Sequence, residues 1–101
     1  MPFAFDDDAA IFSVGQVAEM LGVQSAFVRR LDAEHVVQPA RSIGGQRRYT
    51  RLEVERVERV ATMADSGHNL TGIRRILELE AELATLKRQI ARLQNRPAER
   101  S

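Results

Sequence analysis

The chain has no cysteine, which rules out disulfides, thiolate metal sites and thiol redox sensing. Its two histidines, His35 and His68, lie far apart in sequence and make a poor zinc inventory without thiols. No apolar run is long enough to span a bilayer, and the N-terminus lacks the pattern of a signal peptide, so a cytoplasmic protein is expected. There is no glycine-rich phosphate loop: Gly44-Gly45 lacks the lysine and the following helix that such a loop needs. The carboxylates fall mostly on amphipathic stretches, where solvation is their expected role. An enzyme is therefore not expected, and neither is a cofactor.

Charge of one sign is also scarce overall, with a net charge of +1 over 101 residues. The distribution is uneven. Asp6, Asp7 and Asp8 make the first eleven residues acidic, and these are expected to form a flexible tail. Between Ser25 and Arg51, six arginines face only Asp32 and Glu34, a local excess of +4. Phosphate attraction acts within about 10 Å at physiological salt, so the local excess matters more than the total. A solvated face is the plain alternative for any such run.

What is present reads as a helix-turn-helix followed by a basic hairpin. Ser13 and Gln16 form a capping-box pattern, and Val14, Val17, Ala18 and Leu21 share one helical face. Gly22 ends that helix because it takes a left-handed conformation without steric penalty. A second helix is expected from Gln24 or Ser25 to Asp32 or Ala33, with Val28 and Leu31 inward and Arg29 and Arg30 outward. Ser25 and Ala26 lie in its first turn. Phe27 suits either core packing or contact with a thymine methyl. A helical corner of this kind is common in small proteins. The next segment makes it specific. Val36-Val37 closes at Pro39, and Arg41-Ser-Ile-Gly-Gly-Gln-Arg-Arg-Tyr49 centres on a glycine pair suited to a tight hairpin. A hairpin bearing Arg41, Arg47, Arg48 and Tyr49 is a poor core element and a good phosphate clamp.

Thr50 and Glu53 form a second capping box, opening a helix whose apolar set is Leu52, Val54, Val57, Val60, Ala61 and Met63. Ser66-Gly67 ends it. Asn69 or Thr71 caps a fourth helix containing Ile73, Ile76 and Leu77. The apolar spacing then becomes strict at Ile76, Leu79, Leu83, Leu86, Ile90 and Leu93, a heptad seam that Arg96-Pro97 stops. Burying such a stripe contributes roughly 8–15 kcal/mol gross per chain, before entropy. The stripe thus needs a partner: its own domain, or a second copy in a two-stranded coiled coil. Glu78, Glu80 and Glu82 precede Lys87, Arg88 and Arg92, so antiparallel pairing sets acidic halves against basic ones. Parallel pairing leaves Glu82 within reach of a second copy's Lys87 but sets like halves together. The antiparallel dimer is favoured, and it would present two reading heads to a pseudo-palindromic site.

These motifs, from Phe12-Ser-Val-Gly-Gln-Val-Ala-Glu-Met-Leu-Gly-Val23 through the hairpin to about Leu93, resemble the MerR family of bacterial transcription regulators. Within it, Asn69-Leu-Thr-Gly-Ile-Arg-Arg-Ile-Leu-Glu-Leu79 is most similar to the short heat-shock repressor (HspR) branch. The resemblance implies a winged helix-turn-helix head and an antiparallel coiled-coil dimer. The chain's own pattern gives a mainly α fold with the head over residues 12–77, the dimerisation helix over 78–95 and a polar, disordered tail over 96–101. The resemblance also implies DNA distortion on promoter binding, Arg29 as the recognition-helix arginine, and Arg47 and Tyr49 as wing phosphate contacts. His35 stands where the family commonly has glycine, Gln24 where it has Ser or Thr, and Arg30-Leu31 where it has aromatics. The expected partners are double-stranded DNA, a second copy and a chaperone co-repressor, working at the bacterial nucleoid. A protein-interaction module whose coil binds a sigma factor or a chaperone is the alternative.

Overall fold

A computed structural model describes residues 9–95. Four helices and one small hairpin follow in the order α1 (Val14–Leu21), α2 (Ser25–Ala33), β1 (Ala40–Arg41), β2 (Arg47–Arg48), α3 (Arg51–Asp65) and α4 (Leu70–Gln94). The fold is mainly helical.

Both capping boxes form. Ser13 Oγ accepts from the Gln16 N–H at 3.1 Å, and Gln16 Oε1 accepts from the Ser13 N–H at 2.8 Å. Thr50 and Glu53 repeat the exchange at 3.0 and 2.8 Å. Each box satisfies donors that a helix start otherwise leaves open. Gly22 takes φ 68° at the end of α1, as its position requires. Gln24 makes no side-chain cap for α2, in keeping with its weakness in that role.

The end of α2 is a Schellman motif. The Val36 N–H donates to the Leu31 carbonyl at 2.8 Å, and the His35 N–H donates to the Asp32 carbonyl at 3.0 Å. This geometry needs a left-handed residue after the cap, and His35 supplies it at φ 59°. Glycine would take that conformation without a Cβ penalty.

The core lies between α1, α2 and α3, closed by the start of α4. Val17, Val28, Leu31, Val57, Val60 and Ile73 are fully buried. Val14, Leu21, Phe27 and Leu77 pack around them. Phe27 packs against the core on one side and keeps part of its surface open, so both of its readings stand. Leu52 departs from its expected place and is 46% exposed, because it sits two residues from Val54 and the helical period turns it outward.

The chain before α1 is more ordered than its composition suggests. The Phe12 N–H donates to the Tyr49 carbonyl at 3.0 Å, the Tyr49 N–H returns to the Phe12 carbonyl at 2.7 Å, and the Ile11 N–H joins at 3.1 Å. Ile11 therefore belongs to the head and not to the tail expected over residues 1–11. Asp6, Asp7 and Asp8, and the tail and Arg96-Pro97 stop at the C-terminus, lie outside the described residues.

Asn69 caps α4, its side chain accepting from the Gly72 N–H at 2.7 Å. From there α4 runs unbroken through 25 residues, about 37 Å of helix. The expected division at residues 77 and 78 falls inside this helix. Only its start packs on the core. Leu79, Leu83, Leu86, Ile90 and Leu93 are 47–63% exposed, so the heptad seam is uncovered in the single chain. An ion pair between Arg59 and Glu80 ties α3 to α4, raising the affinity of Arg59 for its proton and lowering that of Glu80.

Candidate nucleic-acid interface

The sequence of α2 sorts its side chains by helical period. Val28 and Leu31 turn inward, leaving Ala26, Arg29 and Arg30 exposed and Ser25 half-exposed at the first turn. Arg30 is engaged along the helix, its Nε donating to Glu34 Oε2 at 2.7 Å. Arg29 is exposed and, among the described residues, makes no ion pair or side-chain hydrogen bond.

The hairpin places Ala40 opposite Arg48 and Arg41 opposite Arg47. Its turn closes through Ser42, whose N–H donates to the Gln46 carbonyl at 2.7 Å. Gly45 alone of the glycine pair uses a positive φ, at 86°. Ile43 stands fully exposed at the tip.

Strand alternation then separates the basic residues. Arg41 and Arg47 share one face and both reach Asp32 on α2. Arg47 Nε donates to Asp32 Oδ2 at 2.7 Å, and Arg41 Nη2 donates to the same oxygen at 3.0 Å. Arg48 turns elsewhere, donating to the Arg47 carbonyl at 3.0 Å and to Gln46 Oε1 at 2.8 Å.

Tyr49 corrects the expectation placed on it. Its side chain is fully buried, so it is a core residue and does not present its hydroxyl to a phosphate. Among the described residues that hydroxyl has no hydrogen-bond partner. Burial, with Asp32 nearby, pushes its ionisation above the usual 10.0. Strand alternation and the backbone pairing with Phe12 turn the ring inward.

Asp32 was not among the residues the sequence singled out. Its signal was faint but present: a carboxylate in the last turn of a helix opposes the macrodipole and needs a compensating cation. The described residues contain no group of His, Asp and Glu able to hold a metal. No helix among them is long and apolar enough to cross a membrane.

A helix pair with an exposed arginine on its second helix, followed by a short basic hairpin against that helix, defines a winged helix-turn-helix. The model of the MerR HTH family regulatory proteins matches residues 12–80, and the chain belongs to that family. The family and fold are those of DNA-binding transcription regulators, not of enzymes.

The chain is 32% identical over 93 residues to a Streptomyces coelicolor protein that carries the name heat shock protein HspR. That match takes in 91% of this chain, which spans 62% of the relative's length. Among solved structures, MtaN, the N-terminal part of the Bacillus subtilis multidrug transporter activator, is similar with a TM-score of 0.61 at 24% identity, over 82% of this chain and 88% of that one. HiNmlR, a MerR family regulator lacking the sensor domain and solved bound to promoter DNA, gives 0.62 at 22% identity, over 82% and 75%. A MerR family regulator from Bacillus cereus gives 0.60 at 18%, over 82% and 68%. These likenesses establish the fold.

Proposed function

We propose that this regulator is a sequence-specific repressor that binds a pseudo-palindromic promoter site as a homodimer. The observation that carries the DNA reading is Arg29, exposed on α2 and unpaired among the described residues, beside a wing whose arginines lean toward the same helix. Ser25, Ala26, Phe27, Arg29 and Arg30 form the base-reading set, and Arg41, Arg47 and Arg48 supply the phosphate contacts. The resemblance of Asn69–Leu79 to the heat-shock repressor branch favours repression over activation.

The dimer reading rests on the uncovered seam of α4. An antiparallel register pairs Leu83 with the partner's Leu86, Leu79 with the partner's Ile90 and Ile76 with the partner's Leu93. It fills every apolar position of the stripe. It also opposes the acidic first half of the seam to the basic second half. In this reading residues 12–77 form the head and 78–95 the dimerisation helix, and the protein works at the nucleoid in the cytoplasm. A chaperone co-repressor would be an addition to this dimer, and docking of a sigma factor or chaperone on the coil in place of a second copy is the competing reading. Self-pairing is favoured because one register satisfies the whole seam.

Recovery of bound DNA from across the genome, followed by footprinting, tests the proposal. The expected result is a set of promoter sites with two related half-sites. Recovery of proteins without DNA would favour the competing reading.

A further inference from the structure

Asp32 is a costly residue for this surface. It is a carboxylate, 11% exposed, at the negative end of α2 and in the basic region proposed to face phosphates. Removing it would raise the local positive charge. Its geometry suggests what offsets the cost. One oxygen, Oδ2, accepts from Arg47 Nε and Arg41 Nη2, two residues that face each other across the hairpin. Asp32 thus joins both wing strands to the recognition helix. The three groups together keep a net charge of +1, so the clamp is not neutralised.

The two arginines are held differently. Arg41 gives its second terminal nitrogen to the Gly45 carbonyl at 3.4 Å. Arg47 is gripped through Nε. Among the described residues neither of its terminal nitrogens has an acceptor, and its side chain keeps 26% of its surface. A guanidinium is planar and rigid, so fixing Nε fixes the direction of the far edge. That edge matches the oxygens of a phosphate.

We propose that Asp32 is a positioning residue that sets the wing against the recognition helix and aims the terminal nitrogens of Arg47 at a backbone phosphate of duplex DNA. This rests on the reading of the chain as a DNA-binding regulator. Asp32 fixes the register between the Arg47 phosphate contact and the base reading by Arg29, so it contributes to discrimination between sequences. Arg47 needs the fork: a lysine could meet either Asp32 or a phosphate through one nitrogen but could not span both as a rigid plane.

The test uses the full chain and the operator recovered by footprinting. Affinities for operator and for random duplex are measured across a salt series, for wild type, Asp32→Asn, Asp32→Glu and Arg47→Lys. Circular dichroism and sedimentation confirm fold and assembly. Asp32→Asn is expected to lose about ten- to hundredfold on the operator, the worth of one charge-assisted hydrogen bond, despite its gain in positive charge. Its affinity for random duplex changes much less, so the specificity ratio falls. Asp32→Glu retains more operator affinity than Asp32→Asn, and Arg47→Lys falls although its charge is kept. If Asp32→Asn binds the operator as tightly as wild type, or more tightly, Asp32 is only a screening charge and the proposal is overturned. Should Asp32→Asn fail to fold, unchanged operator affinity in Arg47→Lys overturns it instead. A wild-type protein that binds no duplex at all removes the DNA reading itself, an outcome distinct from failure of the variants.

Discussion

Phe12 and Tyr49 exchange both backbone hydrogen bonds, and this pair closes the head between the residues before α1 and the end of the wing. The pairing drives the Tyr49 ring into the core, where its hydroxyl is buried without a partner among the described residues.

An unsatisfied buried hydroxyl is destabilising, so Tyr49→Phe should stabilise the fold by about 1 kcal/mol, read by chemical denaturation. Its affinity for DNA should not change. The pH dependence follows from the raised ionisation of Tyr49. The unfolded chain loses this proton near the ordinary value, while the folded chain holds it to higher pH. The contribution is therefore fully present below the unfolded value and is lost as pH rises from there through the folded one. Tyr49→Phe should remove that part of the alkaline loss of stability. Equal alkaline sensitivity in both proteins would contradict the burial of this hydroxyl.

His35 occupies a left-handed position that a Schellman motif reserves by preference for glycine. Relief of the Cβ strain outweighs the added freedom of a glycine in the unfolded chain, so His35→Gly should raise stability by about 0.5–1 kcal/mol. Thermal melting measures it. A lower melting temperature would show that the His35–Gln38 side-chain contact at 2.9 Å outweighs the backbone term.

The seam of α4 should behave as one interface. Leu86→Glu places a charge at its centre, opposite the partner's Leu83 in the proposed register. The variant should sediment as a monomer and melt at a temperature lower than wild type. The wild-type melting temperature should rise with protein concentration, as linked folding and association require. A melting temperature independent of concentration would contradict the dimer.

The elements were legible because their signals are local. Two capping boxes, a left-handed glycine and a glycine-bearing turn each act within four or five residues, and Ser13, Thr50, Gly22 and Gly45 took the parts their types allow. The positions that escaped were decided across the chain. Asp32 is separated from Arg47 by fifteen positions, and no spacing rule links a helix end to a hairpin arm. Ile11 looked like tail because its pairing partner is Tyr49, far along the sequence. Tyr49 reads as a phosphate contact from its place on the basic hairpin and from the family resemblance, yet strand alternation and the pairing with Phe12 turn it inward. Leu52 belongs with the core by type, whereas its helical phase points outward.

The central claim is that two copies of Arg29 read a duplex from one dimer. Gel-shift titration of wild type and Arg29→Ala on the footprinted operator, with sedimentation of both proteins, tests it most directly. The account expects Arg29→Ala to remain a dimer and to lose about 1–3 kcal/mol per half-site, with relaxed discrimination at the base it reads. An Arg29→Ala dimer that binds the operator with wild-type affinity would contradict it.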